Sequence, residues 1–335
     1  MSPRALLCLA LVAACSGDPA TTTTADEDTS TGTSAAPTTT GDATTSTTTG
    51  STTAATTGED VSSSTGGVVV PPLGPWRVMS FNVMCSSCRP DGFEDWEQRV
   101  PHIGDTIRRH DPDLLGTQEL FTADEVALIE AEAPGYTTIW FTKPDPQSLD
   151  YADAVIFYRS SMFEEVEHGF YWLSPKPDEP YSTGFANPQL ARLVVWARLR
   201  ALAEDVEFVF ATTHFDNNSP SQEMSAPLVL ERTAALAAEL PVIMVGDFNS
   251  QPVDPAYAIL TGAFADSLVL AADDWRSDTN LDPKPAYDPA QRIDHIFVAG
   301  APWQASDWVV DQWGYGPDMH ETSDHFAIAV QLAVP

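Results

Sequence analysis

The chain is poor in basic residues. Its 335 residues include 16 Lys and Arg against 48 Asp and Glu, which gives a formal net charge of −32 at pH 7. Seven of the acids and one of the bases precede residue 76, so the net charge of residues 76–335 is −26. A protein that grips long stretches of nucleic acid presents a basic face to the phosphates. The shortage of such residues disfavours a processive DNA- or RNA-binding protein, because polyanions are repelled at long range.

Aromatic residues are absent from the first 75 positions, and all nine tryptophans lie from Trp76 onward. The stretch 16–75 consists largely of Thr, Ser, Ala and Gly with isolated acids. Such a segment cannot bury enough apolar surface to offset the entropy lost on ordering it. We therefore expect a disordered Thr/Ser-rich linker over 16–75, with a random-coil reach of about 40 Å. One domain over 76–335 follows, long enough for a substantial core.

The N-terminus lacks an apolar run long enough to span a bilayer. Arg4 is followed by a short apolar stretch over 5–14, which suits the core of a signal peptide. It ends in the letters VAAC at Cys15, which resemble a bacterial lipobox, in which the cysteine is lipidated and becomes the new N-terminus. We interpret residues 1–15 as a signal peptide with a lipobox and the protein as an extracytoplasmic, membrane-anchored lipoprotein, periplasmic or at the cell surface. The alternative is an ordinary signal peptide cleaved near Ala14.

Cysteine is scarce in the domain, which contains only Cys85 and Cys88. A structural zinc site usually needs four ligands, and no second pair follows, so zinc is disfavoured. In an oxidising compartment a local disulfide between Cys85 and Cys88 is the favoured interpretation. Its loop is very short, so it would add little to global stability. Redox catalysis is the disfavoured alternative.

The domain contains more predicted strands than helices. Apolar residues at helical spacing predict helices over 95–110, 123–132 and 226–240. Short apolar runs predict strands, of which the clearest are 76–82, 114–119, 208–214, 242–247, 292–298, 303–310 and 326–332. Three or four further strands are expected between 136 and 200. This pattern predicts an α+β fold in which two packed sheets are flanked by helices.

Polar residues recur where the apolar strands end. They are Asn82, Glu119, His214, Asp247 with Asn249, Asp294, and Asp324 with His325. Strand ends that carry carboxylates, amides and imidazoles can gather a site at one rim of a fold. These groups suit phosphoryl transfer, because oxygen ligands hold a hard cation such as Mg²⁺ and imidazoles move protons near neutral pH.

Six short segments make the pattern more specific. They read SFNV at 80–83, GTQE at 116–119, TH at 213–214, GDFN at 246–249, RIDHI at 292–296 and SDH at 323–325. In this order and spacing they resemble the motifs of the endonuclease/exonuclease/phosphatase superfamily, across essentially all of residues 76–335. The resemblance implies a four-layer α/β/β/α sandwich. It also implies a metal-dependent hydrolase of phosphate esters, of the nuclease, phosphodiesterase or phosphatase type.

The resemblance assigns a metal site. Glu119 would be the principal ligand, Asn82 would lie beside it and bind metal or phosphate, and Asp324 would contribute a further carboxylate. The expected cofactor is Mg²⁺, with Mn²⁺ or Ca²⁺ as alternatives.

The resemblance also assigns the reacting groups. Asp247 would orient or deprotonate the attacking water, and Asn249 would contact the phosphate. His325, oriented by Asp294 or Asp324, would act as a general acid or base. His214 would donate a proton to a phosphate oxygen or to the leaving group.

Two further residues complete the predicted site. Asp153, on a predicted strand, is a candidate carboxylate partner of His214, although family members often carry Glu near this position. Arg192 opens another strand and is a candidate clamp for a phosphate oxygen. Residues of these types can neutralise and align an anionic ester, which is the assistance that attack by water needs.

Each motif has a structural alternative, since an Asp after a strand can cap a turn and a lone histidine is usually a satisfied loop residue. No single structural reason accounts for the ordered series as a whole.

The expected partners are a phosphate-ester substrate (a nucleotide, oligonucleotide or lipid headgroup) and a membrane, with no protein partner implied. A non-catalytic surface binding module on the same scaffold is the alternative. We expect His102, His110 and His168 on the surface and His295 in packing, with His320 a secondary candidate at the rim.

Overall fold

The computed structural model describes residues 71–88, 90–142, 151–185 and 191–335. The predicted signal peptide, the lipobox Cys15 and almost all of the predicted linker lie outside these residues. The first strand begins at Leu73, three residues before the domain start expected from the sequence. No helix in the described ranges is both long and apolar enough to cross a membrane.

The chain alternates irregularly between strands and helices. The strands are β1 (Leu73–Asn82), β2 (Leu114–Gln118), β3 (Thr137–Phe141), β4 (Tyr151–Tyr158), β5 (Phe163–Trp172), β6 (Leu193–Ala201), β7 (Val206–His214), β8 (Val242–Asp247), β9 (Ala265–Asp266), β10 (Trp275–Asp278), β11 (Asp294–Ala299), β12 (Gln304–Asp311) and β13 (Ile328–Val334). The helices are α1 (Trp96–His110), α2 (Ala123–Glu132), α3 (Ser221–Ala237), α4 (Pro255–Leu260) and α5 (Ser267–Ala271).

The strands form two mixed sheets. The first sheet has the order β10-β12-β13-β1-β2-β4-β3, and the second has the order β5-β6-β7-β8-β11-β9. Two parallel pairs matter for the site: β1 with β2 in the first sheet, and β7 with β8 in the second. Because parallel neighbours end at the same edge of a sheet, the residues that follow these four strands lie at matching edges.

The two sheets pack face to face over an aromatic and aliphatic core. Trp76 of β1 lies 4.6 Å from Phe208 of β7 and 5.3 Å from Phe163 of β5, measured between ring centroids. Gly116 of β2 is required where the sheets approach most closely, since an added Cβ would lie 2.3 Å from Val245 and 2.5 Å from Thr212. The residue type at 116 therefore sets how near the end of β2 comes to the second sheet.

Helices cover the outer faces of both sheets. On the first sheet, Ile103 and Ile107 of α1 and Ile129 of α2 pack against buried residues of β1, β2 and β4. On the second sheet, α3 and α4 pack against β7, β8 and β11. The predicted α+β sandwich of two packed sheets flanked by helices is confirmed.

Local sequence signals explain how the first two helices begin and end. α1 stops at Asp111, which has a φ of 43° in the left-handed region, directly before Pro112. α2 opens with a capping box, in which the Thr122 side chain accepts from the Glu125 backbone N–H and the Glu125 carboxylate accepts from that of Thr122. Both helices were predicted to within one residue.

Two expectations were wrong in detail. The third helix begins at Ser221, five residues before its predicted start, and contains Pro227 in its interior. His110 is buried rather than on the surface, because its Nε2 lies 2.6 Å from Asp311 of β12. His295 is buried as expected, with its Nε2 2.8 Å from the Ser250 carbonyl.

Candidate active site

The strand registers bring the predicted polar residues together from both sheets. In the second sheet, His214 at the end of β7 and Asp294 at the start of β11 are both register partners of Asp247 at the end of β8. In the first sheet, Asn82 at the end of β1 pairs with Gln118 of β2, and Glu119 follows directly. The site therefore lies where the ends of these strands face one another across the sandwich.

One carboxylate oxygen, Oδ2 of Asp247, is the point on which the site converges. Asn82 Nδ2 donates to it at 3.1 Å, and the Nε2 atoms of His214 and His325 lie 3.4 Å and 3.6 Å away. The other oxygen, Oδ1, accepts from the backbone N–H of Asn249 at 2.9 Å. Burial alone would raise the pKa of Asp247, but the charges of His325 and His214 and these hydrogen bonds lower it, so this carboxylate is ionised near neutral pH.

His214 is held from behind by a buried ion pair. Its Nδ1 lies 2.9 Å from Asp153 Oδ1, and Arg192 donates to the other oxygen of Asp153 at 2.8 Å. Arg192 Nη1 also lies 2.8 Å from His214 Nδ1. The ionised carboxylate of Asp153 can only accept, so Nδ1 of His214 donates to it, and the contact of Nδ1 with Arg192 is then one between two donors. The pairing of His214 with Asp153 that the sequence predicted is present.

This arrangement shifts the pKa of both partners. Although burial would raise it, the charges of Arg192 and His214 lower the pKa of Asp153 to about 2. Burial and Arg192 act to lower the pKa of His214, but the carboxylates of Asp153 and Asp247 outweigh them and raise it. His214 can therefore carry a proton on Nε2, on the side that faces Asp247.

His325 repeats the same arrangement with a different carboxylate. Its Nδ1 lies 2.8 Å from Asp294 Oδ2, so Asp294, not Asp324, orients the ring. Burial would lower the pKa of His325, but Asp294 and Asp247 raise it well above the ordinary value. Burial and the charge of Asp247 raise the pKa of Asp294. With a side chain that is 16% exposed, His325 is the more accessible of the two imidazoles, since that of His214 is 3% exposed.

Glu119 is held beside this centre in an unusual backbone conformation. Its φ of 71° lies in the left-handed region, which is uncommon for a residue other than glycine. One carboxylate oxygen accepts from Asn82 Nδ2 at 3.1 Å, and the other accepts from the backbone N–H of Cys85 at 2.9 Å. The predicted disulfide between Cys85 and Cys88 is present. It closes the loop that supplies this N–H, so the disulfide shapes the site as well as the loop.

Two residues that sequence reasoning did not assign to the site organise its loops. The buried Arg99 of α1 donates to the carbonyls of Val83, Met84 and Cys85, and also to that of Thr322. It thereby joins the loop after β1 to the loop that carries Asp324 and His325. Ser323 Oγ donates to the Asn82 carbonyl at 2.7 Å and accepts from the His325 N–H at 3.2 Å. The available signal was an arginine directly beside the apolar positions of the first predicted helix.

Arg192 does not occupy the position expected of a phosphate clamp. Its side chain is 6% exposed and its Nη1 is engaged by Asp153 behind His214. The correction follows from burial, because a guanidinium that neutralises a fully buried carboxylate is not free to meet a ligand at the mouth. Asn249 lies nearer the opening, where its Nδ2 donates to the Phe215 carbonyl at 3.0 Å.

The donor set at the mouth fits a hard divalent cation. Asp324 is exposed, yet the protein around its carboxyl and the charge of Glu119 raise its pKa, so the two carboxylates lie within electrostatic reach of each other. Such excess carboxylate charge on oxygen ligands is what Mg²⁺ and similar ions need.

Two groups of side chains are close enough to share an ion, but we assign neither of them to the metal. Cys85 and Cys88 cluster with Glu119, but their sulfur atoms are consumed by the disulfide. Asp247, Asp294 and His325 also cluster, with ligand atoms within 4.8 Å of one another. Since Nδ1 of His325 is already held by Asp294, we interpret this second group as one that handles a proton. Of the predicted metal set, Asn82 and Glu119 are in direct contact, and the charge of Glu119 acts on Asp324.

Comparisons with known proteins identify the family of the chain. A model of the Endonuclease/Exonuclease/phosphatase family matches residues 79–325, and the chain belongs to this family. Protein angel of Drosophila melanogaster is 24% identical over 208 residues, which are 57% of this chain and 57% of that protein. The chain thus spans little more than half the length of this relative.

Two solved structures from Bacteroides thetaiotaomicron are similar over most of the described chain. One is an endonuclease/exonuclease/phosphatase family protein with 28% identity and a TM-score of 0.64, covering 78% of this chain and 98% of that one. The other is a mannosyl-6-phosphatase with 29% identity and a TM-score of 0.63, covering 77% of this chain and 99% of that one. The family and its fold are thereby shown.

Proposed function

We propose that the protein is a divalent-metal-dependent hydrolase of phosphate esters that acts by in-line attack of water. The observation that carries this proposal is the pair of imidazoles around Asp247. Each has its Nδ1 on a carboxylate supplied by the opposite sheet and its Nε2 within 3.6 Å of the same Asp247 oxygen. Such a centre holds protons at two fixed atoms beside a carboxylate that stays ionised.

The residues divide the chemistry as follows. Asp247, ionised and buried, orients the attacking water and takes its proton. His325, whose pKa is raised, donates a proton toward the phosphate or the leaving group. His214, deeper in the site, donates to a phosphate oxygen. Asp153 and Asp294 fix the two rings so that Nε2 carries the proton that is used.

A cation would be held by Glu119, Asn82 and Asp324. When bound, it would neutralise the anionic ester and polarise a phosphoryl oxygen. The Glu119 carboxylate is prepared for this role because the hydrogen bonds from Cys85 and Asn82 fix its orientation.

A small phosphate ester is the substrate class favoured by the charge of the chain. The net charge of −26 over residues 76–335 repels long polyanions, whereas a compact ester needs only local neutralisation. Similarity to a mannosyl-6-phosphatase adds sugar phosphates to the candidates, which include nucleotides, short oligonucleotides and lipid headgroups.

Hydrolysis can be tested on p-nitrophenyl phosphate, bis-p-nitrophenyl phosphate, mannose 6-phosphate and plasmid DNA, each with Mg²⁺, Mn²⁺, Ca²⁺ or EDTA. We expect EDTA-sensitive turnover of at least one ester. It should fall by at least 10²-fold in Asp247→Asn and in His325→Ala. His168→Gln, at an exposed histidine in β5, is the matched control and should leave turnover unchanged. No turnover on the whole panel would favour a binding module, and full activity in either site variant would refute the assignment.

We also propose that the protein acts outside the cytoplasm as a lipoprotein anchored through Cys15. The support is the apolar segment that ends in the lipobox-like letters at Cys15. Expressed in a bacterial host fed radiolabelled palmitate, the full chain should incorporate label and partition into detergent. Cys15→Ser should abolish both, and Cys8→Ser should change neither. Label retained in Cys15→Ser would contradict the anchor.

A further inference from the structure

A cleft of about 470 Å³ lies beside the active site. Its walls come from α1 and from two loops, one after β10 and one after β12. Because β10 is parallel to β12, and β12 and β1 are both antiparallel to β13, these loops lie at the same edge of the first sheet as Asn82. Trp313 and Thr322 line both this cleft and a narrow void that His325 also lines. The cleft therefore adjoins the loop that carries the catalytic histidine.

Trp313 is the most conspicuous residue of the cleft. It is 39% exposed, although Trp76, Trp172 and Trp308 are almost fully buried. Removing an indole ring from water is strongly favourable, so an exposed tryptophan gives up this stabilisation. Exposed aromatic surface in a concave site is typical of a surface that a ligand covers. Trp275 on β10 is similarly exposed but does not line the cleft, so it offers a comparison.

The exposed ring is fixed in place before any ligand arrives. The guanidinium of Arg109 lies 4.6 Å from the Trp313 ring centre and is itself paired with the buried Asp311 at 3.0 Å. The backbone N–H of Trp313 donates to the other oxygen of the same carboxylate at 3.0 Å, which fixes the main chain that carries the ring. Asn280 then clamps the next residue, Gly314, by donating to its carbonyl and accepting from its N–H. A surface tryptophan held by this many contacts is preorganised for binding.

The remaining walls specify the shape of the ligand. The Tyr315 ring stacks on His102 at 4.0 Å with an interplanar angle of 18°, and its hydroxyl donates to Glu94. His102 thus covers one face of Tyr315, and Arg109 covers one face of Trp313. Trp313 is the more exposed of the two rings, so its remaining face is the main aromatic surface open to a ligand. Asp105, Thr322 and Arg109 line the same cleft and supply hydrogen-bond acceptors and donors to its walls.

We propose that this cleft binds the sugar part of a phosphorylated carbohydrate, with the ester directed to the active site. A pyranose ring offers apolar C–H groups on one face and hydroxyl groups around its rim, which matches one free aromatic surface bordered by mixed hydrogen-bonding groups. A nucleobase would gain most from two facing platforms, and an oligonucleotide would be repelled by the acidic domain. The inference rests on the proposed phosphoesterase function and names its substrate class.

The test separates sugar binding from turnover. Binding of unphosphorylated trisaccharides of mannose, glucose and galactose to the full-length protein is measured by calorimetry and by saturation-transfer NMR. We expect at least one to bind, with its affinity reduced at least tenfold in Trp313→Ala and partly restored in Trp313→Phe. Trp275→Ala, the matched exposed tryptophan, should bind as the wild type does. Thermal unfolding of each variant shows whether it has folded.

The outcomes distinguish the two proposals. Failure of all three sugars to bind, or equal binding by wild type and Trp313→Ala, would overturn the carbohydrate cleft even if p-nitrophenyl phosphate is hydrolysed. Binding of AMP that is lost in Trp313→Ala, with no sugar binding, would assign the cleft to a nucleotide and overturn the proposal. Sugar binding without hydrolysis of any ester would instead refute the phosphoesterase function.

Discussion

Replacement of Asp294 by Asn is the sharpest test of the proton-handling role of His325. The substitution keeps the size of the side chain but removes the negative charge that lies 2.8 Å from Nδ1 of the ring. The charge centres are then about 4 Å apart, which corresponds to about 4 kcal/mol at an effective dielectric constant of about 20. If the protonated ring is used in the transition state, that loss lowers kcat by about 10³-fold.

The pH dependence of kcat in Asp294→Asn is a second, independent test, because the direction of its shift is predicted. Asp294 raises the pKa of His325, so its removal lowers that pKa and the ring loses its proton at lower pH. The basic limb of kcat should therefore move to lower pH in Asp294→Asn. The fold should tolerate the change. Burial and the neighbouring Asp247 raise the pKa of Asp294, so its negative charge lowers the free energy of unfolding, and the neutral Asn removes that charge.

The assay is the pH profile of kcat on whichever ester proves to be hydrolysed, with thermal unfolding recorded at each pH. Asp205→Asn, at a carboxylate that is 89% exposed, is the control for the loss of one negative charge. A kcat within about threefold of wild type, with an unmoved basic limb, would show that Asp294 does not act through His325 and would refute the reasoning.

Two further predictions concern stability. Although burial acts in the opposite direction, the neighbouring His295 ring, whose Nδ1 lies 3.4 Å away, and the charge of Arg292 lower the pKa of Asp266. Its contribution to stability is therefore present above about pH 4 and is lost as the pH falls further. Asp266→Asn should lower the free energy of unfolding at pH 7 by about 3 kcal/mol and flatten its fall below pH 4 in urea titrations, and an unchanged pH dependence would contradict this. A chain that starts at Pro72 should unfold at the same urea concentration as the full chain. Loss of Leu73 as well should cost about 2 kcal/mol because that side chain is buried, and equal midpoints for the two truncations would refute the role of Leu73.

The elements that the sequence predicted best are those with a strong local signal. α1 was predicted from apolar residues at 96, 100, 103 and 107, all of which are buried on one face. The strand that ends at Asp247 was predicted from a continuous apolar run over 242–245, which is typical of a strand buried on both faces. The strand that ends at Asn82 was predicted from a mainly apolar run. The short elements β9, β10, α4 and α5 were not predicted, since pieces of two to six residues carry no readable period.

The sequence predicted which residues form the site better than it predicted which of them contact one another. Polar residues after apolar strands identified Asn82, Glu119, His214 and Asp247, because parallel strands in both sheets end at matching edges. The choice of Asp294 as the partner of His325 depends on how two sheets face each other, which no local pattern contains.

Residues that act through burial were the ones that sequence reasoning misplaced. Arg192 precedes a strand and looks like a residue that meets a ligand, but its guanidinium turns inward to Asp153. His110 ends an amphipathic helix and looks exposed, but it meets Asp311 from a strand 201 positions later. Trp313 gave no signal at all, because its exposure and its contact with Arg109 are properties of the assembled loops.

Three hydrogen bonds of the centre each connect one sheet to the other: Asn82 to Asp247, Asp153 to His214, and Asp294 to His325. Neither sheet alone contains a complete proton-handling unit. Turnover should consequently be the last property to appear when the denatured chain refolds, arriving only when the two halves of the sandwich dock. A nascent or partly unfolded chain would therefore have no hydrolytic activity, and activity would begin only when folding is complete.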